Sequence, residues 1–387
     1  MRVVYHQHLF SHYRQGIIDR MLAADDLEVF LAGDTVDPYG GGIEGATIHR
    51  PDRFTRLPAV VYPGGFLRQP GLGRMLRDLR PDAAIFCGDA RFLDVWTQAR
   101  AIRRRGGRVL FWTHGWLRPP HGLIGRVRHA FYALADGLLL YGNRAKAIGV
   151  ADGFAPERLH VIYNSLDYPS QSALREEVTD DELRALRTSL FGEAETPVVI
   201  CCARLTANRG LDMLLGSLAL LQARGRRVHC LLVGDGPERD ALAAQAEAQQ
   251  LSVVFYGACY DEPTLARLFM LANACVSPGW IGLTAIHALT YGTPVITHDN
   301  ANEQGPEWEA VTDGETGALF RQHDVDDLAA KIGEWTADAQ VTPQMRERCW
   351  QVIARHYNPE AQMAVLRRAL AGLPAEDTAW QRWVGAR

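Results

Sequence analysis

The chain has 387 residues, of which 47% are hydrophobic and 22% charged, with a formal net charge of −4. That length suits two domains of roughly 100–200 residues each, and that composition excludes extended disorder. Charge is unevenly placed, with 22 basic and 16 acidic side chains in the first 167 residues against 19 and 29 in the rest, so the halves are expected to meet different partners.

The opening MRVVYHQHLFSHYR lacks the apolar core of a signal peptide, and its MRVVY reads as a first buried strand. Apolar runs then alternate with helix-period stretches, the pattern of parallel α/β layering. Strands are predicted at Arg2–Tyr5, Leu27–Leu31, Ala83–Cys87, Arg108–Trp112, Gly137–Tyr141 and His160–Tyr163. Helices are predicted at Gln15–Ala24 and Phe92–Arg104. The Gly- and Pro-rich segment 38–70 should hold loops and one short strand. The polar stretch Asp167–Thr179 marks a domain boundary. Beyond it, strands are predicted at Pro197–Ala203, Arg227–Val233, Ser252–Tyr256, Ala274–Ser277, Pro294–Thr297 and Gly317–Phe320. Helices follow at Gly210–Arg224, Pro237–Gln249, Glu262–Leu271, Thr284–Tyr291, Asp326–Thr336 and Pro343–His356. The expected division is 1–170, 171–365 and a tail, 366–387, that returns to the first domain as a helix. No run approaches the ~20 apolar residues that cross a bilayer. Seven cysteines without a CxxC pair read as reduced core residues, neither a disulfide framework nor a metal site.

Open parallel sheets bind ligands beyond the carboxyl ends of their strands, so the residues just after strands carry the functional argument. Arg204 and Arg209, in ARLTANRG after VVICC, offer two forked, permanently charged groups suited to a pyrophosphate. LLVGDGPER places Gly234 and Gly236 in a tight turn, with Pro237 expected at the first helical position. SPGWIGLTAIHAL ends a strand in a Gly-rich loop. The amides at Gly282, Leu283 and Thr284 open a helix there and can meet phosphates. His287 should face the same way as Thr284. Asn300, Glu307 and Glu309 supply polar groups after the strand ending at Thr297.

Taken in order, ARLTANRGLDMLL, LLVGDGPERDAL, VVFYGACYDE, ACVSPGWIGLTAIHALTYGTPVITHD and EAVTDGETGALF resemble the retaining GT-B glycosyltransferases of family 4, the mannosyltransferase and sucrose-synthase-like group. The resemblance spans Val198 to Tyr357. It implies two Rossmann-like domains facing each other across a cleft, a UDP- or GDP-sugar donor held by the second, retention of anomeric configuration, and neither metal nor cofactor. By position, Arg204 and Arg209 correspond to the pair that neutralises the donor diphosphate. Gly257 begins the loop lining the base, and Glu309 is the glutamate just before D-G-x-T-G. The family's two loop glutamates, eight apart, are replaced by Gly279 and His287. Contacts to the donor sugar must then come from Trp280, Asn300 or Glu307.

In the first half, LFWTHG places His114 where related enzymes keep a histidine beside the transferred sugar. His6, His8, His12, Arg14, Arg118 and Asn143 are expected to line the acceptor side. The implied activity is transfer of a sugar to a hydroxyl of a glycan or lipid-linked acceptor in bacterial surface polysaccharide or glycoconjugate synthesis. A catalytically silent partner subunit and a nucleotide-sugar epimerase are the alternatives. The expected location is cytoplasmic, with the basic first half as the face for an anionic membrane. No nucleic-acid partner is expected.

Overall fold

A computed structural model describes residues 1–40, 43–337 and 341–383. The chain forms two compact units, one of residues 1–167 and 356–386, the other of residues 168–355.

The first unit holds a seven-stranded parallel sheet. Its strands run in the spatial order Phe54–Arg56, Glu28–Gly33, Arg2–His6, Ala83–Cys87, Arg108–Thr113, Gly137–Leu140, Leu159–Val161. Side chains alternate between two cores, as a strand's period of two requires. Val4, Phe86 and Phe111 face one cluster; Tyr5, Ile85, Leu110 and Trp112 face the other. Burial on both faces is why these strands read as unbroken apolar runs.

Segment 38–70 contributes more strand than predicted: Phe54–Arg56 joins the sheet, and Val60–Val61 pairs with Leu67–Arg68 as a separate antiparallel hairpin. Helices Leu72–Leu79, Gly122–Tyr132 and Asn143–Ala151 were not predicted.

The return to the first unit begins earlier than expected, at His356, because helix Pro359–Leu370 completes the core holding Ile17 and Ile18. Met363, Leu366 and Leu370 are buried there. Gln362 donates to the Tyr163 carbonyl at 3.0 Å and accepts from the Ser165 hydroxyl at 2.7 Å. The following segment lies on helix Asn143–Ala151. Thr378 donates to Asn143, and Lys146 donates to the Glu376 carbonyl at 3.2 Å.

The second unit has a six-stranded parallel sheet in the order Val253–Gly257, His229–Val233, Val198–Cys202, Ala274–Ser277, Val295–His298, Gly317–Phe320. This is the doubly wound arrangement, and its strand order reverses between Val198–Cys202 and Ala274–Ser277. The helices match the predicted ones within a few residues, with one shift. Pro237 lies in the turn, and the helix starts at Arg239. Two further helices were not predicted: Tyr168–Glu177, which occupies the polar stretch read as a boundary, and Asp180–Phe191, which follows it. The second of them is announced by a capping box of Thr179 and Glu182.

Candidate functional site

The carboxyl end of the second sheet, at its point of reversal, collects most of the predicted donor residues. Arg204 follows the strand Val198–Cys202 and is exposed. It makes no ion pair among the described residues. Arg209 closes a 3₁₀ turn, Ala207–Arg209, and is half-buried. Its Nη1 donates to the Trp280 carbonyl at 2.6 Å, and its guanidinium lies 5.5 Å from the Trp280 ring centroid. It too lacks a carboxylate partner among the described residues. Two permanent cations beside one loop without counter-ions leave a positive field that an anion would neutralise.

The glycines of this end serve packing. A Cβ at Gly234 would stand 1.9 Å from the Ala203 carbonyl oxygen, and one at Gly236 2.3 Å from that of Leu205. The GDG turn and the arginine loop therefore touch backbone to backbone, joined by Ala203 N to Val233 O at 3.0 Å and Leu205 N to Asp235 O at 3.0 Å. Gly257 differs: its φ of +90° calls for glycine, while the space around it is open. At Gly279 any side chain would meet the Asn208 carbonyl oxygen at 2.4 Å. Its amide donates to the Arg209 carbonyl at 2.9 Å. A glutamate cannot be placed there without moving the arginine loop.

Trp280 is 42% exposed and rests against Gly282 and Gly305, where a Cβ would lie 3.0 and 2.8 Å from its ring. Gln304, which the sequence gave no reason to single out, fixes this loop. Its Oε1 accepts from Ile281 N at 2.9 Å, and its Nε2 donates to Thr297 Oγ1 at 2.8 Å and to the His298 carbonyl at 3.0 Å. The helix that follows, Thr284–Thr290, has seven residues. The Thr284 hydroxyl donates to the Cys202 carbonyl at 3.1 Å. No protein acceptor among the described residues takes the amides of Gly282, Leu283 and Thr284, which are therefore open donors.

His287 turns elsewhere. Its Nε2 lies 2.8 Å from Glu262 Oε1, the oxygen that also accepts from Tyr291 Oη at 2.5 Å and Gln171 Nε2 at 2.9 Å. Burial opposes the Glu262 charge, but the hydrogen bond and charge of His287, with Tyr291 and Gln171, outweigh it and hold the carboxyl at about 2. Asn300 caps a 3₁₀ turn, accepting from Asn302 N at 3.0 Å and donating to Gln322 Oε1 at 2.6 Å. Glu307 is buried and Glu309 half-buried, both in the 3₁₀ segment Pro306–Ala310.

The predicted acceptor residues of the first unit scatter into different settings. His6 is fully buried against Phe86 and Phe92, with Nε2 2.6 Å from Gln69 Oε1, so it is a core residue. Burial lowers its pKa to about 4. His8 is half-buried, its Nδ1 3.8 Å from Cys87 Sγ. His12 is exposed and held at 3.2 Å to the Glu44 carbonyl. Asn143 is buried and occupied by Tyr163 and Thr378. Arg118 is exposed in the loop before helix Gly122–Tyr132.

Arg14 is the organising cation. It donates to Tyr5 Oη at 3.0 Å and to Tyr141 Oη, and it lies over the rings of Trp112 and Tyr141. His114 sits beside it, 4.7 Å from the Tyr141 ring. His114 is exposed and so accessible to small molecules, while desolvation by the protein around it, with the nearby Arg14 charge adding to it, lowers its pKa to about 4. Tyr141 and Asp89, the latter paired with Arg91 at 2.6 Å, belong to this group and gave no motif in the sequence.

A cavity of about 920 Å³ lies elsewhere in the second unit, lined by Arg187, Arg346 and Trp350. It adjoins Leu271, which precedes the strand Ala274–Ser277, and so falls at the amino end of the sheet. Among the described residues no cluster of His, Cys, Asp and Glu is suited to a metal ion, and no helix is long and apolar enough to cross a membrane.

Residues 196–338 match the model of the glycosyl transferases group 1 family. The match therefore covers the second unit's sheet, both arginines and the Gly-rich loops. A GDP-mannose-dependent alpha-(1-6)-phosphatidylinositol monomannoside mannosyltransferase of Mycolicibacterium smegmatis is 29% identical over 189 residues, 46% of this chain and 47% of that protein. A D-inositol 3-phosphate glycosyltransferase of Jonesia denitrificans is 29% identical over 202 residues, 49% of this chain and 46% of that one. The chain thus spans about half the length of these relatives. The crystal structure of Anabaena Alr3699/HepE in complex with UDP superposes with a TM-score of 0.72 at 18% identity, over 96% of this chain and all of that one. The fold, with its two Rossmann-like sheets, is GT-B.

Proposed function

We propose that the protein is a retaining glycosyltransferase that moves a sugar from a UDP- or GDP-sugar to a hydroxyl of a glycan or lipid-linked acceptor, without a metal. One observation carries this reading. Arg204 and Arg209 stand without carboxylate partners among the described residues, and Arg209 donates to the Trp280 carbonyl in the loop that leads to the open amides of Gly282, Leu283 and Thr284. When the glycosidic bond to the diphosphate breaks, negative charge grows on the leaving oxygens, and fixed cations and amides aimed at them lower the barrier. A diphosphate oxygen can take the proton of the incoming hydroxyl, so that no protein base is required on the donor side. The group 1 match and the UDP complex of the superposed structure support a nucleotide donor.

The first unit supplies the acceptor side in this proposal. His114, neutral down to about pH 4, can donate or accept a hydrogen bond without presenting a charge to the substrate. Gly279 and His287 leave the donor sugar without the acidic contacts of the family resemblance, and Trp280 is the exposed side chain nearest in sequence to that place.

The test is thermal shift with UDP, GDP and their sugars, followed by product detection with a donor panel. A bound nucleotide raises apparent stability. The double variant Arg204→Ala/Arg209→Ala should lose that shift and product formation while remaining folded. Turnover near the parent level in this variant would exclude the site.

A further inference from the structure

Leu123 and Ile124 are 76% and 81% exposed, at the first turn of helix Gly122–Tyr132. Val127, one turn on from Leu123 and so on the same outward stripe, is exposed as well. The opposite side of the helix is anchored: Phe131 and Tyr132 are buried, with Phe131 5.0 Å from Trp96. The apolar residues are thus held outward by a helix whose other side is fixed in the core. Residues 114–135 contain three arginines and no acidic residue. Arg126, beside Val127, is exposed and makes no ion pair among the described residues.

A second apolar feature belongs to the same corner. The hairpin of Val60–Val61 and Leu67–Arg68 exposes Tyr62 and Phe66. It is fastened to the start of helix Leu93–Arg104 by a bridge from Leu67 to Phe92 and by the Arg68–Asp94 pair at 3.0 Å. Leu67, Phe92 and Phe131 share one core cluster, so hairpin and helix lie on the same face of the sheet. Both also follow its carboxyl end. Exposed apolar side chains grouped at one corner, with cations and no anions in the helical segment, differ from the scattered ones of an ordinary surface.

We propose that this corner docks on an anionic lipid bilayer, with Leu123, Ile124 and Val127 entering the headgroup boundary and Arg126 meeting lipid phosphates. Short amphipathic elements bind interfaces in this way, by apolar burial added to attraction for anionic lipid. The residues of this surface belong to the first unit and the donor residues to the second, and the docking does not depend on the activity proposed above.

Vesicle flotation tests it on the full chain. Vesicles of phosphatidylcholine mixed equally with phosphatidylglycerol should carry the protein, and phosphatidylcholine alone should carry much less. Leu123→Ser/Ile124→Ser should weaken binding at least about tenfold. Arg126→Ala should weaken it roughly fivefold at low salt and less at high salt. Tyr62→Ser/Phe66→Ser reports whether the hairpin joins the contact, and a decrease is expected. Each variant should keep its unfolding midpoint and its nucleotide-induced thermal shift, which separates lost docking from a lost fold or a failed donor site. Binding that is absent, or undiminished in Leu123→Ser/Ile124→Ser, overturns the proposal. So does a dimer in sedimentation velocity that this same variant dissolves, since the face would then belong to a second copy.

Discussion

At the carboxyl end of the second unit's sheet, two arginines keep their charge without a carboxylate partner among the described residues, and the loops beneath them meet backbone to backbone at Gly234, Gly236 and Gly279. At the same end of the first unit's sheet, the arginine is enclosed by Tyr5, Tyr141 and Trp112, and the neighbouring histidines are held neutral. One end is made of main chain and fixed charge. The other is made of side chains whose protonation depends on their surroundings. An end of the first kind suits an anion of constant charge, and it should resist pH but tolerate no added atoms. An end of the second kind should accept some side-chain change but respond to acid.

The sharpest way to break the comparison is to add one carbon. Gly234→Ala puts a Cβ into the Ala203 carbonyl at a φ of +140°, and a loss of about 3 kcal/mol or more in urea unfolding is expected. Gly257→Ala has the unfavourable φ but free space, and should cost about 1–2 kcal/mol. Equal losses would mean that the loops are not packed as described.

Acid probes the other side. The unfolded His6 ring takes its proton near pH 6.5, whereas the folded one waits until about pH 4. The folded state therefore loses relative stability as pH falls between these values, by about 3 kcal/mol for His6 alone, and loses no more below. His160, also at about 4 through burial, acts in the same direction. Urea unfolding of the parent and of His6→Asn at pH 7 and 4.5 should show a flatter dependence in the variant. Glu262 acts in the same direction as the neutral-held histidines, but at lower pH. Its stabilising charge is present above pH 4.5 and is lost as pH falls towards about 2, so it leaves the pH 4.5–7 window untouched.

A smaller effect is expected from Gln304→Ala. It strips the Ile281 amide of its acceptor and frees the Trp280 loop, costing about 2 kcal/mol and weakening nucleotide binding. The least disruptive change is Arg204→Ala. It should leave the unfolding midpoint unchanged, because the side chain is exposed and unpaired among the described residues. It should weaken UDP or GDP binding by about tenfold, the worth of a charged hydrogen bond. A fall in midpoint would show that Arg204 is part of the scaffold after all.

The sheets were legible because strands buried on both faces leave runs such as VVICC and HCLLV, and the turns after them are marked by glycine. The purpose of those glycines was not. That Gly279 lies against the Asn208 carbonyl depends on the meeting of two loops distant in sequence, which no local pattern records. His287 read as a ligand residue because its partners, Glu262 and Gln171, come from other helices. Gln171 lies in a stretch whose polarity suggested a linker. His6 read as an acceptor residue for a similar reason: a histidine at a strand's end gives no sign of the glutamine, 63 residues on, that seals it into the core.

The helix Pro359–Leu370 has a consequence for how the molecule is made. The second unit is one uninterrupted stretch of chain, but the first is finished only when its last helix arrives. On a ribosome, residues 1–167 emerge first and must wait for nearly 200 more before Met363, Leu366 and Leu370 cover Ile17 and Ile18. During that interval the nascent unit has an open apolar side, the condition under which young chains stick to one another or are held by chaperones. The later-made half is thus free to mature first, and the earlier-made half last.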